Sequence, residues 1–187
     1  MAVLSALSDA VDARPYMRGH AGRVTRLAEL VAVRLGWKRS RLAMLRVGGR
    51  LHDVGKLAID ERILRKPGPL TPDEFAEIRR HPIEGARMIA PLDCFDDAFP
   101  YVLYHHERWD GGGYPAGLAG PDIPVEARVL AVADAFDAMT SVRPYRSALS
   151  TTQALDEIDR CAGTQFDPEL ARLFVVVAER RSAAAVG

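Results

Sequence analysis

Apolar residues recur along this chain every three or four positions, over stretches bounded by residues that start and stop helices. Val24, Leu27, Ala28, Val31 and Leu35 share one helical face, and Gly36 closes that helix. A second helix carries Leu42, Leu45 and Gly49 on its inner stripe. His52 lies two turns past Leu45 and continues the stripe inward, with Asp53 and Gly55 following where the helix should end. Residues 58–70 read as a loop turning at Pro67-Gly68-Pro69. Thr71 then serves as an N-cap, with Pro72 at the first helical position and an acidic first turn. His81-Pro82 interrupts, and a further helix is predicted over 83–89. A helix around 101–105 leads into a glycine-rich loop over 110–124. The nearly all-apolar segment 125–139 is strongly helical, and two more helices follow, the last with Asp167 as N-cap and Pro168 behind it. Strand signals are nearly absent. The pattern predicts an all-α, single-domain helical bundle over residues 1–187.

Composition narrows the function classes. Hydrophobic residues make up 48% and charged residues 27% of 187, as in an ordinary globular domain. Lys+Arg and Asp+Glu number 25 each, so the chain offers no basic face for a long nucleic acid. A local pocket can still be positive and take a small phosphorylated ligand. Cys94 and Cys161 lack metal-ligand spacing and read as two reduced, packed thiols rather than a disulfide. The N-terminus has no basic stretch followed by an apolar block, and no run approaches the roughly 18 apolar residues of a membrane span. The chain reads as cytoplasmic.

The histidines carry the chemistry. There are five, His20, His52, His81, His105 and His106, each within a few residues of a helix end or loop junction. Imidazole nitrogens and carboxylates suit iron, zinc, nickel and manganese. Neighbouring helical residues point roughly 100° apart, so His52 and Asp53 reach one site only where the helix ends. Asp134 sits among apolar residues with Asp137 one turn on, a costly placement unless it meets a cation or a partner arginine. His105-His106-Glu107 feeds a loop whose glycines permit close backbone approach to a ligand. His81 and His20 are weak signals singly. Together the five are hard to explain as unrelated caps and surface residues.

The segments HDVGK (52–56), HPIEG (81–85), HHERWDGGGYP (105–115), DAFDAMT (134–140), RPYR (143–146) and GTQFDP (163–168), in this order, are those of a known family. The chain resembles the HD-GYP family, a branch of the HD-domain phosphohydrolases, over a core of about residues 9–181. The resemblance implies a helical domain with two or three metal ions, often iron and sometimes manganese, that opens cyclic di-GMP to linear pGpG and commonly further to GMP. It places the metal ligands at His52, Asp53, His81, His105, His106 and Asp134, with Asp53 as the bridging and catalytic carboxylate and a metal-bridging hydroxide as nucleophile. A third metal would use positions 16 and 20. Position 16 is Tyr16, a poor ligand when neutral, which favours two metals and leaves His20 either a ligand or a group that orients another. Arg14 and Met17 depart from the family's pattern beside it.

Lys56, one turn past the metal pair, is expected to place its charge on the phosphate. Arg143 and Arg146 are expected to grip a phosphate or a guanine, and Tyr114 to touch the substrate. Glu107 and Asp110 are expected to brace the loop. Two other readings stand beside the hydrolase: a non-catalytic cyclic di-GMP receptor, and a phosphodiesterase for another cyclic dinucleotide such as cyclic GMP-AMP. A regulatory or sensor domain supplied by another protein is the expected partner.

Overall fold

The computed structural model describes residues 6, 7, 9–11, 13, 18–141 and 148–184, with side chains at all of these except 93, 94 and 182–184. Among the described residues the chain is helical and has no strand, only an isolated bridge between Ala162 and Phe166. The nine α-helices of this region are α1 (His20–Arg34), α2 (Arg39–Leu51), α3 (Glu61–Leu64), α4 (Pro72–Ile78), α5 (His81–Ile89), α6 (Phe99–Tyr104), α7 (Val125–Thr140), α8 (Thr151–Arg160) and α9 (Pro168–Ala184).

Local sequence explains where these elements stop and start. Helix α1 ends in a paired hydrogen-bond motif: Gly36 N–H donates to Val33 O and Trp37 N–H to Ala32 O, with Gly36 at φ 72°. Thr71 and Glu74 form a reciprocal capping box at α4, and Ser150 and Gln153 form another at α8. Asp167 Oδ1 accepts from the backbone N–H groups of Glu169 and Leu170, capping α9 as its sequence predicts.

Two boundaries differ from the sequence reading. The stretch 58–70 is not wholly loop, because Asp60 caps the short helix α3 by accepting from Arg62 N–H. His81-Pro82 does not interrupt a helix but begins α5. Proline is tolerated in a first turn, where its missing N–H has no partner to lose.

Helix α7 is the hub, packing against α1, α6, α8 and α9. Its Val129, Leu130, Val132, Ala133 and Phe136 join Val24, Ala28 and Val31 of α1 and Leu170, Ala171 and Phe174 of α9 in the main apolar core. A smaller core gathers Leu51, Val54, Ile89, Phe95 and Val102. Two glycines of α2 allow its close packing: a Cβ on Gly48 would fall 2.4 Å from the Tyr101 ring, and one on Gly49 2.6 Å from Thr25 Oγ1. Cys161 is a half-buried free thiol, and the Cys94 side chain lies outside those described.

Candidate metal centre

Both apolar cores send helix ends to one point. After α2 the backbone tightens into a 3₁₀ turn at Val54–Ala58, and the residue before it, Asp53, turns its carboxylate back beside His52. Gly55 makes this possible by close approach rather than by ending the helix. A Cβ there would sit 1.8 Å from His81 O and 2.4 Å from Gly85 N, on the first turns of α5. His81 opens α5, His105 caps α6, and Asp134 comes from the middle of α7.

Asp53 lies at the centre with its two oxygens facing different partners. Oδ1 is 3.4 Å from His81 Nε2 and 3.9 Å from His105 Nε2. Oδ2 is 3.4 Å from His52 Nε2 and 3.6 Å from His20 Nε2. The donor atoms of Asp53, His81, His105 and His106 lie within 4.8 Å of one another, and those of His20, His52 and Asp134 do likewise. All seven predicted ligand residues therefore meet, in two adjoining groups.

Three of the histidines are oriented in one way. The Nδ1 atoms of His52, His81 and His105 lie 2.7, 2.7 and 3.0 Å from the carbonyls of Gly49, Ile78 and Val102, three residues before each. A carbonyl can only accept, so each Nδ1 carries a proton and each Nε2 is turned to the centre, where a neutral imidazole of this tautomer presents its lone pair. Outer hydrogen bonds of this kind raise ligand basicity and fix ring orientation. Burial lowers the pKa of His81 to about 3 and of His106 to about 4, and pushes His105 well below its usual range, so these imidazoles are neutral. Burial would raise the Asp53 carboxyl, but the charge of Lys56 and the contact with His52 hold it far below the usual range. Asp134 is also held low, as hydrogen bonding to His20 outweighs its burial. Neutral imidazoles beside ionised carboxylates are in the protonation states a divalent cation requires. Two buried atoms, His52 Nε2 and Asp53 Oδ1, have no hydrogen-bond partner, and a cation would satisfy both. The donor set thus fits first-row divalent metals.

His20 is built differently. Its Nδ1 lies 2.7 Å from Asp137 Oδ2 and its Nε2 3.2 Å from Asp134 Oδ1. Burial alone would lower its pKa, but hydrogen bonds to Asp134 and Asp137 raise it to about 9. Arg23, one turn along α1, holds Asp137 in place through bonds of 2.6 and 3.0 Å.

Lys56 Nζ donates to Asp53 Oδ2 at 2.7 Å, so its charge acts on the central carboxylate. Beside the centre a cavity of about 290 Å³ is walled in part by His106, Asp134, Tyr114 and Arg79. The Tyr114 ring stacks on His106 at 4.9 Å between centroids, so the glycine loop lies against the candidate ligands. Glu107 anchors that loop by accepting from the N–H groups of Ala116, Gly117 and Leu118. Asp110 accepts from Arg108 and from Gly112 N–H. Arg143, Arg146, Tyr16, Arg14 and Met17 lie outside the described residues. The sequence reading missed Arg23, Phe75 and Arg79. Their signals were the one-turn spacings His20 to Arg23 and Phe75 to Arg79, which do not reveal what each faces.

The profile of the HD-domain family matches residues 5–170. A cyclic di-GMP phosphodiesterase of Thermotoga maritima is 37% identical over 175 residues, 92% of this chain and 47% of that protein. The chain belongs to the HD-domain family, in its HD-GYP branch. Another relative of this HD-GYP domain is the 3′3′-cGAMP-specific phosphodiesterase 2 of Vibrio cholerae, 37% identical over 172 residues, 90% of this chain and 33% of the relative. In fold, the HD-GYP domain matches the crystal structure of a cyclic GMP-AMP specific phosphodiesterase of V. cholerae with a TM-score of 0.73. That match has 20% identity and covers 96% of this chain and 49% of the other. The chain thus spans between a third and a half of the length of these curated relatives. No helix of the described residues is long and apolar enough to cross a membrane.

Proposed function

We propose that this domain is a metal-dependent phosphodiesterase that hydrolyses a cyclic dinucleotide, with cyclic di-GMP as substrate. The observation that carries the reading is Asp53, whose two oxygens face separate sets of imidazole donors, the arrangement of a carboxylate shared by two cations. Asp53, His81, His105 and His106 would hold one cation, and His52 and Asp134, together with Asp53, the other. His20 is the further candidate beside the second. Iron, with manganese as the alternative, suits the nitrogen and oxygen donors. Such cations supply Lewis acidity toward phosphoryl oxygens and lower the pKa of water.

The chain's own groups do the rest. Lys56 keeps Asp53 ionised and adds positive charge beside the position of the scissile phosphate. Tyr114, set by the loop that Glu107 anchors, walls the cavity and limits the approach of bulk water. Arg143 and Arg146 would add cationic contacts to the substrate. The product is linear pGpG, with GMP following if a second cleavage occurs. The Vibrio relative of equal identity favours cyclic GMP-AMP as a second substrate. The relatives' greater length fits a sensor or regulatory domain acting with this one.

The test is to purify the protein anaerobically, quantify metal, and assay it on cyclic di-GMP beside Asp53→Ala. About two iron or manganese ions per chain and linear product from the unaltered protein alone would support the reading. Intact metal and tight ligand binding without turnover would make the domain a receptor. Absence of metal under every loading condition would sink the mechanism.

A further inference from the structure

Helix α4 is short and buries none of its residues fully, yet it carries an aromatic ring at the mouth of the cavity. Phe75 is 49% exposed and contributes to neither core. One turn on, Arg79 reaches over the same opening. Its guanidinium carbon lies 4.8 Å from the Tyr114 ring centroid and 5.9 Å from that of Phe75. Nearby arginines are engaged by carboxylates: Arg80 by Glu77 and Glu84, and Arg108 by Asp110. Arg79 has no carboxylate within ion-pair distance among the described residues, and its guanidinium lies against the two rings. Tyr114 therefore touches both Arg79 and His106, which ties the rim of the cavity to the candidate metal ligands.

An open aromatic face beside a guanidinium fork is a nucleobase-binding arrangement. Stacking on an aromatic ring tolerates any base, whereas the fork discriminates. Guanine presents two acceptors, O6 and N7, that match two parallel N–H donors. Adenine presents N7 beside the N6 amino group, which sets a donor against a donor. We propose that Phe75 and Arg79 form a base subsite in which Phe75 stacks a purine and Arg79 selects guanine. Arg79 is thereby the residue that determines specificity among cyclic dinucleotides. This inference rests on the phosphodiesterase reading for its substrate class but not for its recognition chemistry.

Binding and turnover separate the two. The metal-loaded protein would be titrated calorimetrically with the bis-phosphorothioate analogues of cyclic di-GMP and cyclic di-AMP, and assayed on the natural compounds. The unaltered protein should bind the guanine analogue about tenfold or more tightly than the adenine one. Arg79→Ala should reduce that ratio to near unity and raise KM for cyclic di-GMP by about tenfold, with kcat within about threefold. Arg79→Gln, whose amide pairs with adenine, should tilt the ratio toward cyclic di-AMP. Arg79→Lys should keep a cation over the Tyr114 ring and still lose the discrimination. Phe75→Ala should weaken both analogues alike, by about fivefold or more. Both positions are exposed, and unchanged circular dichroism would verify folding of each variant.

An Arg79→Ala protein with the original ratio, or with a loss confined to kcat, would overturn the inference and leave Arg79 a brace for Tyr114. Turnover by the unaltered protein without base preference would also overturn it while the phosphodiesterase reading survives. Guanine-selective, Arg79-dependent binding without turnover would do the reverse. No binding of either analogue together with no turnover of either natural compound would overturn both.

Discussion

The two oxygens of Asp53 look onto surroundings built in different ways. On the Oδ1 side, His81 and His105 are held by carbonyls of their own helical turns. On the Oδ2 side, His52 is held likewise, but His20 depends on Asp137, which in turn depends on Arg23. Backbone carbonyls at a helix end are present whatever the side chains are. A side-chain relay exists only if residues 117 positions apart in the chain are both retained. The first arrangement should therefore tolerate substitution around it, and the second should be adjustable by single changes.

Removing the shared carboxylate should have the largest effect. Asp53→Ala is expected to lower hydrolysis by more than about 10³-fold, with loss of both bound ions seen by elemental analysis. Retention of one tightly held ion would show that the two groups are independent. Next comes Gly55→Ala, which forces a methyl group against His81 O on the Oδ1 side, from the turn that also carries Asp53 and Lys56. Its expected cost is about 3 kcal/mol or more, a drop in Tm of roughly 6–12 °C by differential scanning calorimetry. A smaller change would mean that the 3₁₀ turn can shift and that its contact with α5 does not set the geometry.

Asp137→Asn tests the side-chain relay. It should weaken the ion on the Oδ2 side by about 10–100-fold and leave the other unchanged, read as a split in a two-site metal titration. Equal weakening at both sites would refute the proposed division. Smallest and remote from both sides is Ser150→Ala, which removes the capping box of α8. About 1 kcal/mol of stability should go, with metal content unaltered. A change in metal content there would mean that the bundle transmits strain to the centre.

Much of this was legible in the sequence because helix periodicity and capping are local. The apolar stripe of α1, its closure at Gly36, the Thr71 capping box and the Asp167 cap all depend on residues within a few positions of one another. The candidate ligand cluster was legible too, since five histidines at helix ends and loop junctions are hard to explain separately and the motifs lie in the family's order. What was not legible depends on tertiary geometry. The Arg23–Asp137 pair joins α1 to α7, and nothing near either residue announces the other. The bond from Lys56 to Asp53 is a product of the 3₁₀ turn, which the sequence did not announce. Phe75 and Arg79 read as ordinary positions of a polar helix until α4 is placed across from Tyr114. Gly55 looked like a helix stop, and its reason is instead the backbone of α5 against its Cα.

The anchoring of the glycine loop by Glu107 has a consequence for the entropy of ligand capture. The segment between α6 and α7 has little secondary structure of its own, and a free stretch of that length has many conformations to lose. By fixing the amides of 116–118, one carboxylate divides it into two shorter arcs, 108–115 and 119–124. Closing each arc is cheaper than closing the whole. The ordering of Tyr114 over the site is then complete when the chain folds, and an arriving substrate need not supply it from its own binding energy.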